Sequence, residues 1–266
     1  LGQLFATAIP LAFVLFKRRS ILGFAFGCVA CWFFLKGIDA TWSRGSLIGF
    51  AVSCAIVLVQ LFPKRWEMKL LTIGGLSGLA LLPYAGTYMD QSALDRVNFW
   101  GEANWAFKAH PIFGVGLGMV REYIDQSRAV HNAYVTCYSE LGVFGYFFWF
   151  ALILVAIVGV VRTWQALVGI KDPEAVWLYR FCTWGLSAFA GFCASSYFLS
   201  RAFVFPMFFL TAMLGSVPFL AQQYIEEGYP VPSVDTKQDA LRVGIPTSLF
   251  SILYIYVSIL MLNKVR

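Results

Sequence analysis

The two histidines of this chain, His110 and His131, lie in one stretch, HPIFGVGLGMVREYIDQSRAVHN, running from His110 to Asn132. Imidazole is the side chain best suited to taking or giving a proton near neutral pH. His131 opens the apolar run that begins HNAYVTCYSELGVFGYFF, at the depth where water meets hydrocarbon, and an ionisable group there is a functional candidate by default. Anchoring of a helix end is the plainer alternative. On a continuous helix Tyr134, Val135 and Tyr138 share its face, whereas Cys137 lies about 240° round and Glu140 about 180° round, which argues against a Cys–His nucleophilic pair. His110 precedes Pro111 and reads as part of a turn.

Two arginines join His131 as candidates. Arg44 lies in TWSRGSLIGF and Arg96 in QSALDRVNFW. A guanidinium is a planar fork of donors that stays charged at physiological pH, so a pair of them suits a diphosphate. Snorkelling is the competing account for Arg44, and pairing with Asp95 or Asp90 for Arg96. Gly114, Gly116 and Gly118 form a GxGxG that lacks the spacing, the βαβ context and the acidic partner of a dinucleotide fingerprint. They offer a tight turn, able either to bring backbone N–H groups to an anion or to let the loop pack on a helix. Lys108, Arg121 and Arg128 add positive charge to the same stretch. No DxD occurs, so the usual carboxylate ligands of a divalent metal are not evident, and neither metal nor cofactor is expected.

The elements that position these groups are membrane helices. With 59% hydrophobic and 13% charged residues, the 266-residue chain is too apolar for a soluble globule, where about 45–50% is usual. The apolar runs predict an all-α, polytopic transmembrane helical bundle of about eight spans. These are Gly2 to Phe16, Ile21 to Leu35, Leu47 to Phe62, Leu70 to Tyr84, Tyr134 to Val161, Val176 to Leu199, Ala202 to Ala221 and Ile245 to Leu262. The six cysteines fall in or beside these runs and read as small hydrophobes. The CxxC of Cys28 and Cys31 lies inside GFAFGCVACWFF, so neither disulfide nor zinc is expected.

Basic clusters KRRS and PKRWEMK, the Arg162 to Arg180 connection and the loop with Lys237 and Arg242 alternate with the remaining loops, which places them in the cytoplasm. Residues 85–131 then form a long, partly helical loop on the outer face, between helices in residues 1–84 and helices in residues 132–266. Within it Val97, Trp100, Ala103, Asn104 and Phe107 recur at helical spacing, predicting an amphipathic helix that lies on the membrane surface or against the bundle. The net charge of +6 serves orientation first, so nucleic acid is not an expected partner. A chain opening on Leu1 directly into an apolar run predicts that further sequence precedes it.

In this order, SRG at the head of a span, DR…W…A…HPIFGVGLG, and HNAYV…ELGVFGYFFWF resemble the O-antigen ligase and O-antigen polymerase family of bacterial inner-membrane proteins. The resemblance is closest from Asp90 to Phe150. It implies transfer of a glycan from a polyprenyl-diphosphate carrier to an acceptor hydroxyl at the periplasmic face, by inversion and without a metal. Arg44 and Arg96 would bind the carrier diphosphate and His131 would be the general base, with Arg128, Asn132, Tyr134, Gly114 and Gly116 in support. The implied partners are the carrier-linked glycan donor, an acceptor that is another glycan, lipid A core or protein, and the lipid bilayer. The family usually has more spans, which again implies a missing N-terminal portion. Two other readings use the same residues: a transporter or flippase of carrier-linked glycan or another anion, and a Cys–His protease or transpeptidase.

Overall fold

A computed structural model of the chain describes residues 1–15, 21–61, 91–222 and 236–264, and among these every regular element is helical. Without water along its path, a backbone must pair its N–H and C=O groups within the segment, and a helix does so. Helix α1 spans Gly2–Ala12 and tightens into a 3-10 turn at Phe13–Leu15. Helices α2 (Ile21–Ala40), α3 (Arg44–Leu61), α4 (Gln91–Ala109), α5 (Ala133–Ala166) and α6 (Pro173–Ser196) follow. The expected seventh span is divided into α7 (Phe205–Gly215) and a short α8 (Val217–Leu220), because Pro218 has no N–H to continue the ladder. Short α9 (Thr236–Asp239) leads through a π turn into α10 (Ile245–Lys264).

Among the described residues three stretches are long and apolar enough to cross a membrane, namely Ile21–Ala40, Ala133–Ala166 and Ala240–Asn263, and this is an integral membrane protein. Other apolar helices are shorter: the 11 residues of α1 reach only about 16 Å, half the hydrocarbon thickness. The count of eight spans is therefore not established by length and composition. The expected span Leu70–Tyr84, loop residues 85–90 and the clusters KRRS and PKRWEMK lie outside the described residues.

The described residues divide into two units. One draws on Leu1–Leu82, Ala156–Ser195 and Phe205–Val234. In it α1 packs on α2 and α3, and Ala6, Ile9 and Ile38 are buried among Phe5, Phe34 and Phe50. Small residues four apart let α3 and α6 touch backbone to backbone. A Cβ on Gly49 would lie 2.6 Å from the Gly191 carbonyl oxygen, and the Ser53 and Ser187 hydroxyls each donate to the other's carbonyl at 3.0 and 2.6 Å.

The other unit draws on Pro83–Val155, Ser196–Val204 and Asp235–Arg266. Here α4 packs against α10, and its expected apolar face, Val97, Trp100, Ala103, Asn104 and Phe107, is buried. Buried Asn104 is satisfied at both ends, donating to the Tyr256 carbonyl at 3.3 Å and accepting the Tyr138 hydroxyl. The loop helix is thus part of a packed core rather than a surface float.

Candidate active site

The second unit assembles its polar groups around a break in α5. Gly142 takes φ +66° and ψ −173°, which splits the helix into residues 133–141 and 143–166. Such a break orphans carbonyls before it and N–H groups after it, and each orphan in an apolar setting needs a partner. The glycine turn supplies them. Val115 and Gly116 N–H donate to the Ser139 and Glu140 carbonyls at 3.0 and 2.9 Å, and Val143 and Phe144 N–H donate to the Pro111 and Ile112 carbonyls at 2.9 and 3.1 Å. The Gly114 N–H donates to the His110 carbonyl at 2.9 Å. A Cβ on Gly114 would lie 2.3 Å from the Glu140 carbonyl group, so only glycine admits this approach. Of the two uses open to these glycines, Gly114 and Gly116 serve packing against a helix.

Glu140 completes the junction. Its side chain is buried, and its carboxylate accepts the Gly118 and Val120 N–H groups within the field of Arg121. Gly118, left-handed at φ +78°, opens the 3-10 turn Met119–Tyr123 that carries Arg121.

His131 precedes α5 rather than lying on it. Asn132 is the capping residue: its side-chain Oδ1 accepts the Tyr134 and Val135 N–H groups at 3.0 and 3.1 Å, and its carbonyl accepts Thr136 N–H at 3.0 Å. His131 therefore does not share a helical face with Tyr134, Val135 and Tyr138, because the chain enters the helix only after it. It is left-handed at φ +55°, a conformation that costs a non-glycine residue about 1 kcal/mol or more. Bonds on both sides hold it there. The His131 N–H donates to Ser200 Oγ at 2.6 Å, and Trp100 Nε1–H on α4 donates to the Val130 carbonyl at 2.8 Å.

The same arrangement brings Arg96 to His131, since Arg96 stands one helical turn before Trp100 on α4. The imidazole is half-buried, and its pKa lies below the ordinary 6.5 because burial disfavours the imidazolium and because the positive charges of Arg96 and Arg121 add to that effect. At neutral pH the ring is uncharged, the form that accepts a proton. Tyr134 is half-buried with ring centroids 5.7 Å from Trp149 and 6.2 Å from Tyr197. Arg128 is exposed after the 3-10 turn Asp125–Ser127. His110 is exposed in the turn that ends α4, as its sequence position predicts, and Cys137 is buried. Arg44 belongs to the first unit, where it is exposed at the head of α3 beside Ser43, whose Oγ accepts the Ser46 N–H at 3.3 Å.

Beside His131 lies a cavity of about 400 Å³. Its walls include Val130, the residue before His131, and Ser200, which holds the His131 amide. Arg121, Thr136 and Glu140 supply its other polar walls, and Phe203 and Val204 apolar ones. Sequence reading missed Glu140 and Ser200 and left Arg121 undistinguished from Lys108 and Arg128. The available signal was that Arg121 follows the glycine turn directly. Among the described residues no three His, Cys, Asp or Glu side chains gather as a metal site.

A family model described as O-antigen ligase matches residues 2–150, more than half of the chain. No curated protein and no solved structure matches it.

Proposed function

Starting from the fact that this chain belongs to the O-antigen ligase family, we propose that it transfers an oligo- or polysaccharide from a polyprenyl-diphosphate carrier to an acceptor hydroxyl at the periplasmic face of the bacterial inner membrane, with inversion at the anomeric carbon. His131 is the general base. The acceptor oxygen attacks the anomeric carbon, the bond from that carbon to the diphosphate breaks, the hydroxyl proton passes to the imidazole, and the diphosphate leaves with the electron pair. Arg96 carries the role of stabilising the departing diphosphate, in place of a divalent cation. Residues 85–131 serve as the catalytic loop between the membrane helices of 1–84 and those of 132–266. The acceptor is another glycan, lipid A core or a protein.

One observation supports this reading above the others. A half-buried imidazole, kept neutral by burial and by the cations Arg96 and Arg121, stands next to an arginine suited to phosphate. The neutral ring is the form that accepts a proton, and a general base contributes about 10²–10⁴ in rate. The His131→Ala protein, in reconstituted vesicles supplied with labelled carrier-linked glycan and acceptor, is expected to lose transfer by that factor while inserting normally. The Arg96→Gln protein is expected to lose about 10²–10³. Wild-type turnover by His131→Ala would sink the mechanism.

A further inference from the structure

The glycine turn buries its backbone against α5 but not its large side chains. Ile112, Phe113 and Leu117 are 62%, 71% and 65% exposed, and Pro111 to Val120 holds no charged residue. Charge resumes on either side, with Lys108 before the turn and Arg121, Glu122 and Asp125 after it, all exposed. An exposed apolar patch with a polar rim marks a surface that meets something other than water. We infer that the tip of the turn is a membrane anchor, with Ile112, Phe113 and Leu117 inserted among the phospholipid acyl chains of the adjacent leaflet. Insertion requires only that the chain is an integral membrane protein, so it stands apart from the transfer reaction.

The bilayer is the occupant because the tip continues a surface that already faces it. On α5 Phe144, Phe148 and Leu152 are all exposed at four-residue spacing, which makes them one stripe along a helix long and apolar enough to cross a membrane. The Phe113 ring meets the Phe144 ring edge to face with centroids 5.7 Å apart, and Phe144 meets Phe148 in the same way at 5.1 Å. The tip thus extends the lipid-facing stripe past the helix break.

Length sets the depth. After Gly142, Val143–Val161 is a run of 19 residues without a charge, closed by Arg162. At about 1.5 Å per residue it reaches about 28 Å, close to the roughly 30 Å of hydrocarbon. Gly142, and the turn bonded to the residues on either side of it, then lie at one edge of that layer. Non-helical backbone is tolerated at such a depth only where protein pairs it. The Val115 and Gly116 N–H groups and the Pro111 and Ile112 carbonyls are all bonded to α5, so the bonds that close the helix break also fit the turn for an apolar layer. An anchor here holds Arg121, four residues beyond Leu117, at the height of the phospholipid headgroups.

The test places a nitroxide on single cysteines of the full chain in a cysteine-free background: Phe113→Cys, Leu117→Cys, Phe148→Cys and Asp125→Cys. The vesicles are of phosphatidylethanolamine and phosphatidylglycerol without polyprenyl lipid. Electron paramagnetic resonance then compares access of oxygen, which concentrates in hydrocarbon, with access of a water-soluble nickel chelate. Positions 113 and 117 are expected to match 148, with a ratio of oxygen to nickel access about tenfold above that at 125, because hydrocarbon excludes the polar chelate. Leu117→Cys carries the test alone should Phe113→Cys fail to fold. The anchor is overturned if 113 and 117 show the nickel access of 125. It is equally overturned if both reagents are excluded, which would mean that a second copy or another protein covers the tip. Oxygen-rich access that arises only after polyprenyl phosphate is added would also overturn it, by making the tip a site for the carrier's chain instead.

Discussion

An imidazole removes a proton only in its neutral form, and His131 is held in that form by its surroundings rather than by chance of pH. Burial is the larger cause and the charges of Arg96 and Arg121 the smaller ones. Removing a cation favours imidazolium, so Arg121→Gln is expected to raise the His131 pKa toward 6.5, and histidine NMR titration of the wild-type and variant proteins checks it. A variant pKa that stays put or falls would break the electrostatic account. The acidic limb of the activity profile is expected below pH 6.5 in wild type and to move upward with the same substitution. The stability consequence has the corresponding sign. Just below pH 6.5 the unfolded chain binds more protons at this histidine than the folded one, so this residue makes the fold less stable as pH falls from 6.5 through its folded pKa. At this scale the sequence carried His131 and Arg96 by residue type alone. It could not single out Arg121 from Lys108 and Arg128, because a charge in a loop has no address until the path of the loop is known.

That path is set at the scale of elements, where a broken helix and a glycine turn satisfy each other's backbones. The two glycines that bound the turn predict different penalties for an added methyl group. Gly118→Ala adds a Cβ with nothing within 4 Å, so its expected cost is the left-handed conformation alone, about 1 kcal/mol. Gly114→Ala adds the same strain and also drives Cβ to 2.3 Å from the backbone of Glu140, which cannot yield without breaking the ladder between turn and helix. It is expected to destabilise by at least about 3 kcal/mol, in the range of strain and overpacking combined. Thermal unfolding in detergent compares the two; equal shifts would show that the turn does not sit inside the helix break. Helix α4 was readable beforehand, since five residues from Val97 to Phe107 recur at 3.6-residue spacing and all five are buried. The break was not readable. Gly142 sits in ELGVFGYFF, a continuous apolar run, and glycine is an ordinary resident of membrane helices. Only a non-local partner, the 111–116 segment, makes a break there affordable, and periodicity does not report on distant partners.

For the whole molecule, the proposed chemistry and the charge pattern pull in opposite directions. Basic residues favour the cytoplasmic side, yet the stretch with Arg96, Lys108, Arg121 and Arg128 must face outward if the four basic sequence segments at 17–20, 63–69, 162–180 and 237–242 face inward. The rule counts connections of up to about 60 residues, so 85–131 falls within its scope and outward placement runs against it. Outward placement is, however, where positive charge has a use, because a carrier diphosphate presented at the periplasmic surface needs a cationic partner. Orientation is therefore a test of function as well as of topology. In a cysteine-free background, Asp125→Cys and Lys171→Cys each place one thiol at an exposed position. A membrane-impermeant maleimide, applied to cells whose outer membrane alone is permeabilised, is expected to label position 125 fully and position 171 only after the inner membrane is opened. The reverse pattern would put His131 with the cytoplasm. A base on that side cannot serve a transfer at the periplasmic face, so the proposed reaction would fall together with the orientation.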